Sequence, residues 1–208
     1  MNKTKIATAC FVVLGLLANC GSVPQTFYYR VDYQIEDLRN GNQAIPLTLG
    51  ISQFDADVLY EGDRIVYRQS PYQVEFYHYR RWIAAPKKIV TEKVLKQFQA
   101  SGIFANVVSM PSVTKSDYTL KGEIQAFEEW DEGGSWYGLV TIEFKLQNTD
   151  LEIVWKKLLS EKTLIEKKEH IEIVKAISRS LHKVVKRSIE EIKNHLKLEN
   201  NISNQNNN

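Results

Sequence analysis

Ile171, Val174, Ile177, Leu181, Val184, Ser188, Ile192 and Leu196 recur every three or four positions near the end of the chain. That spacing predicts one amphipathic helix of about seven turns, with a single apolar stripe. A stripe of that length needs an equally long apolar surface to cover it, which restricts the fold to a bundle or a sheet with a helix laid on it. The segment before it decides between them. Tyr118, Leu120 and Ile124 alternate, and so do Trp136, Val140, Ile142, Phe144 and Leu146. Alternation with period two predicts two long strands, joined by the polar turn Trp130-Asp131-Glu132-Gly133-Gly134-Ser135. Leu151 to Leu159 reads as a third strand of this meander.

Thr26 to Tyr33 and Leu47 to Phe54 read as strands in the first half. Arg64 to Gln69 and Gln73 to Tyr79 read as a hairpin around Ser70-Pro71. Pro86 then suits the first turn of a helix, where its missing N–H costs nothing. Ile89, Val90, Val94, Leu95 and Phe98 supply the apolar face, Gly102 the stop, and Phe104 to Val108 an extended segment. The fold class expected is α+β, a mostly antiparallel sheet with two amphipathic helices packed on one face.

The start of the chain carries a different signal. Lys3 and Lys5 precede the apolar run Ile6 to Ala18. That run falls well short of the roughly 20 residues that cross a bilayer, and it matches the core of a secretory signal. It ends in Leu17-Ala18-Asn19-Cys20, which resembles the lipobox of bacterial lipoproteins, with Asn19 where Gly, Ala or Ser is usual. In that motif the chain is cut before the cysteine, whose thiol carries a diacylglyceryl group. The division expected is therefore a signal peptide over 1–19, an anchor and short linker over 20–25, one α+β domain over 26–199, and a polar, disordered tail over 200–208. Cys10 leaves with the signal and Cys20 is acylated, so the mature chain has no thiol for a disulfide. Losing Lys3 and Lys5 lowers the formal charge of +2 to near zero, which gives no argument for nucleic acid binding.

No catalytic residue and no metal ligand set stands out. His78, His170, His182 and His195 have no supported ligand spacing, and no Gly-x-Ser-x-Gly elbow is present. The acidic group Glu128, Glu129, Asp131 and Glu132 reads as a solvated hairpin tip. Lys87, Lys88, Lys93, Lys96, Lys175, Lys183, Lys186 and Arg187 read as solvated helix faces, with anionic headgroups as the lesser alternative. Tyrosines crowd the first half: Tyr28, Tyr29, Tyr33, Tyr60, Tyr67, Tyr72, Tyr77 and Tyr79. Sheet packing and an interaction surface both account for them.

The run Leu59-Tyr60-Glu61-Gly62-Asp63-Arg64-Ile65-Val66-Tyr67-Arg68, followed by Tyr79-Arg80-Arg81-Trp82 and a helix, resembles a signature of the ABC-type transport auxiliary lipoprotein family, which includes paraquat-inducible protein C-like lipoproteins. Cys20-Gly21-Ser22 and Phe27-Tyr28-Tyr29 match its usual opening. The resemblance implies a non-enzymatic accessory protein whose partners are an MCE-domain protein and ABC transporter components moving lipids or other apolar molecules between membranes. It implies no cofactor beyond the covalent lipid on Cys20. With no Asp after Cys20, it places the protein at the outer membrane, facing the periplasm. Tyr67, Arg68, Arg81 and Trp82 are the expected signature residues, for partner binding or for local packing. The alternatives are a lipoprotein that holds lipid itself, or one that serves another envelope machine such as lipopolysaccharide insertion. Self-association stays open.

Overall fold

A computed structural model describes residues 24–39 and 43–206. The signal segment and Cys20 lie outside the described residues. The fold is organised around one strand. In chain order the elements are β1 (Phe27–Tyr29), β2 (Ile45–Ile51), β3 (Asp55–Ala56), β4 (Arg64–Arg68), β5 (Val74–Trp82), α1 (Pro86–Ser101), β6 (Phe104–Ser109), β7 (Tyr118–Glu132), β8 (Ser135–Gln147), β9 (Ile153–Leu164) and α2 (His170–Asn206). A 3-10 turn at Val58–Tyr60 lies between β3 and β4.

β7 pairs antiparallel with β8 along its whole length, and β8 pairs with β9. Its other edge is shared by three strands in succession, all parallel to it. Leu49 of β2 lies beside Tyr118, Asp55 of β3 beside Glu123, and Val66 of β4 beside Glu128. β6 continues the sheet beyond β2, while β5 and then β1 continue it beyond β4. The fold is α+β, as the sequence predicts. The long ladders are antiparallel, yet five of the eight strand junctions are parallel.

Both helices cover one face. α1 begins with Pro86 and ends at Gly102, whose φ of 64° is the left-handed conformation that terminates a helix. Val90, Val94 and Phe98 enter the core. α2 lays Ile177, Leu181, Val184, Ile189 and Ile192 over Val140, Ile142, Phe144 and Leu146 of β8, all fully buried. Its 37 residues rise about 55 Å and the 15 residues of β7 about 50 Å, so stripe and sheet match in length. The helix backbone packs directly on Gly138. Ala176 and Ser180 face it, and Ser180 Oγ donates to the Gly138 carbonyl at 2.7 Å.

Three sequence expectations change. The first strand is shorter than Thr26 to Tyr33, because after Tyr29 the chain leaves the sheet edge. The meander's third strand starts and ends later, at Ile153 and Leu164. The last helix continues through Asn206, into the segment whose composition predicts a disordered tail.

A methyl group at Gly138 would lie 2.4 Å from the backbone nitrogen of Ile177. Backbone in the middle of a helix has little room to yield. Gly138→Ala is therefore expected to lower stability by about 2 kcal/mol or more, measured by urea unfolding.

Candidate functional site

The sequence signature is a sheet-crossing polar knot. β4 carries Tyr67 and Arg68 on opposite faces, since successive strand residues alternate. Arg68 bonds Glu128 of β7, and Tyr67 lies beside the next residue, Glu129, in the strand register. A register shift between Ile124 and Ala126 sets which face each glutamate takes. Past it, Phe127 and Glu129 join the helix-covered face, and Glu128 turns to the other side.

On the outer face, Arg68 donates from Nε to both Glu128 carboxylate oxygens, at 3.0 and 2.9 Å. Tyr60, carried by the 3-10 turn, donates its hydroxyl to Glu128 Oε2 at 2.6 Å. Trp130 stacks below the guanidinium, 5.2 Å from its ring centre. Glu128 is completely buried, so the pairing with Arg68 and Tyr60 is what keeps its charge tolerable there. Burial, together with the Glu128 carboxylate, pushes the Tyr60 hydroxyl far above the usual tyrosine range.

On the helix face, Tyr77 of β5 donates to Glu129 at 2.9 Å. Tyr67 packs on Tyr77 with ring centres 4.8 Å apart and donates to Glu75. Burial raises Glu129 to about 7, and the neighbouring Asp131 carboxylate adds to the rise. Burial also raises Asp131. His170, the first residue of α2, sits edge-on to Tyr77 at 5.1 Å, and burial and then Arg80 lower its pKa. Lys168 lies over Trp136. The knot thus fastens the start of α2 to the sheet.

Arg81 and Trp82 lie apart from this knot, at the end of β5. Arg81 pairs with Asp63 at 2.8 Å on the half-exposed outer side. Trp82 is fully buried against Phe127, ring centres 5.1 Å apart, at the entry to α1. Tyr67 and Arg81 line one open pocket with Arg64, Glu75, Phe76 and His78, whereas Arg68 and Trp82 do not take part in it. The acidic group also departs from a solvated tip, because Glu128 and Glu129 are 0% and 1% exposed and only Glu132 reaches solvent freely. Glu128, Glu129, Tyr60, Tyr77 and His170 are the site residues that the sequence reading missed. The available signal was two acids flanked by Phe127 and Trp130 inside an apolar strand. Among the described residues no group of three or more His, Cys, Asp or Glu is placed to hold a metal ion. Among those residues, too, no helix is long and apolar enough to cross a membrane.

The profile of the ABC-type transport auxiliary lipoprotein component family matches residues 34–187. The chain belongs to that family. Its fold is similar to that of a protein from Xanthomonas campestris, with a TM-score of 0.75 at 17% identity over 84% of this chain and 99% of the other. It is also similar to an uncharacterized protein, with a TM-score of 0.64 at 16% identity over 81% of this chain and 99% of the other. No curated protein sequence matches the chain. The family's members are auxiliary components of ABC-type transport. In this member the polar knot joins β4, β5 and β7, and His170 packs the start of the long helix against it.

Two outcomes test the knot. Arg68→Ala leaves Glu128 buried without its cation and is expected to cost about 3 kcal/mol or more. Arg68→Met combined with Glu128→Leu should recover most of that loss in urea unfolding. Glu129 binds its proton more tightly folded than unfolded, so it contributes a fall in stability as pH rises from its unfolded value near 4.5 to about 7. Glu129→Gln should flatten that fall, raising stability at pH 8 relative to pH 5 by about 2 kcal/mol compared with the native chain.

Proposed function

We propose that this protein is a non-enzymatic adapter, acylated at Cys20 and held at the outer membrane facing the periplasm. It docks an MCE-domain protein and its ABC transporter to that membrane, in a pathway that moves lipids or other apolar molecules. The family match over residues 34–187 supports an auxiliary role in ABC-type transport. The interior supports an adapter over a carrier, and this observation carries the reading. The volume between sheet and helices is occupied by the protein's own side chains, among them Phe54, Trp82, Phe98, Phe127 and Phe144, all fully buried in one cluster. A carrier needs a concave apolar site that buries most of its ligand. The acids that could do chemistry are engaged in the knot by Arg68, Tyr60 and Tyr77. Several acyl chains on Cys20 anchor the domain firmly, where one chain alone is marginal.

The test is an affinity pulldown of the full-length lipoprotein from crosslinked envelopes, beside a Cys20→Ala control. Recovery of an MCE-domain protein with its ATPase and permease is expected from the native chain, and loss of that recovery from the control. Recovery of a barrel protein of another envelope machine would overturn the reading. So would stoichiometric lipid retained non-covalently in the purified domain.

A further inference from the structure

The basic helix residues are largely engaged at home. Lys96 pairs with Glu92, Lys175 with Glu172, Lys186 with Glu36 and Arg187 with Glu191. A second group of cations lies around β1, where Arg81 pairs with Asp63 and where Arg30 and Lys93 share Asp32. This strand is one edge of the sheet, three residues long and parallel to β5, with Phe27 beside Arg80, Tyr28 beside Arg81 and Tyr29 beside Trp82. Soluble proteins blunt such edges with charge or cover them. Here Phe27 is 47% exposed and Tyr28 64%. Tyr79, two residues before Arg81, is 43% exposed, and Ile83, whose N–H donates to the Tyr29 carbonyl at 2.8 Å, is 67% exposed. Arg30 follows directly, its side chain open to solvent with Asp32 at 3.9 Å. Arg30, Arg80, Arg81, Lys93 and Lys96 outnumber Asp32, Asp63 and Glu92 there, and they interleave with exposed Phe, Tyr and Ile.

We infer that this edge is a membrane-docking surface that rests on an anionic bilayer and fixes the orientation of the tethered domain. The inference rests on the acylation of Cys20 proposed above. Seven positions separate Cys20 from Phe27, so the tether reaches about 25 Å at full extension. No other part of the described sheet is so close in sequence to the anchor. Phe and Tyr at the headgroup level and Arg against lipid phosphates are the pairing that interfaces favour. The acyl chains supply the affinity, and the patch supplies direction. It turns the β1 edge toward lipid and leaves the opposite edge, β6 and the loop containing the fully exposed Val113, pointing away.

The test uses the full-length lipoprotein reconstituted into vesicles of phosphatidylcholine with or without phosphatidylglycerol. Tyr28→Cys, Ile83→Cys and Val113→Cys variants are labelled with an environment-sensitive fluorophore. An acylated Cys20 takes no label, so the native chain should stay dark. Labels at 28 and 83 should shift to the blue and lose several-fold in iodide quenching on phosphatidylglycerol vesicles, with a smaller change on phosphatidylcholine alone and in high salt. The label at 113 should stay water-accessible throughout. Equal, water-like signals at 28, 83 and 113 on vesicles that carry the protein would overturn the docking surface while leaving the anchor intact. Label on the native chain would overturn the anchor itself, and the docking surface with it.

Discussion

The long strand β7 is the constraint on which the rest of the structure depends. One edge of a strand offers a fixed series of backbone donors and acceptors, and here three separate strands use that series in turn. Each arrives parallel, so the chain must return to the same end of the sheet between visits, which makes the topology non-local. The other edge is taken by β8 alone. A hairpin of this length buries apolar residues on one side at every second position, and only a helix of matching length covers them. The seven-turn stripe of α2 is therefore as much a consequence of β7 and β8 as a feature of its own sequence.

The buried acids follow from the same strand. Where β7 leaves β3 and meets β4, the sheet is covered on both faces, by α2 on one and by the 3-10 turn at Val58–Tyr60 on the other. Two consecutive residues there point to opposite faces, and both are buried. Apolar side chains would serve for packing alone. Glutamates instead require partners of fixed geometry, and Arg68, Tyr60 and Tyr77 provide them. An apolar pair tolerates a strand that slips, whereas Glu128 without Arg68 is a buried bare charge. Since a one-residue slip would move each partner to the wrong face, the knot ties the register of β4 to that of β7.

This also explains how much was legible in the sequence. Local elements were, since they follow from spacing: the hairpin of β4 and β5, the helix from Pro86 to Gly102, the meander and the final helix. The strand order was not, because it depends on which strand occupies which stretch of the β7 edge, and nothing in local pattern encodes that. The faces of β7 beyond Ile124 were not legible either. Simple alternation would place Glu128 with Leu120 and Ile124, but the extra residue in the bulge inverts the parity and gives that face to Phe127 and Glu129. Tyr67 and Arg68 are adjacent in the sequence, but Arg68 finds its partner Glu128 sixty positions away, in a segment whose charge suggested solvent. Trp82 takes the packing role that the sequence left open beside partner binding.

If Tyr67, Arg68 and Trp82 are occupied in holding the domain together, the surface that meets other molecules has to be sought among residues the fold does not use. That criterion separates the tyrosines. Tyr60, Tyr67 and Tyr77 are committed to carboxylates, and Tyr33 is stacked on His182 at 4.7 Å. The side chains of Tyr28 and Tyr79 are exposed and make no hydrogen bond among the described residues; Tyr28 lies across the ladder from half-buried Arg81, and Tyr79 precedes it by two positions. A fold that spends its best hydrogen-bonding aromatics on register has a rigid interior. In the docking arrangement proposed above, an orientation set at the β1 edge is carried to the opposite edge through the unbroken order β1-β5-β4-β7-β2-β6. The proposed adapter needs that property more than a cavity, since the task proposed for it is to hold one assembly at a fixed angle to a membrane.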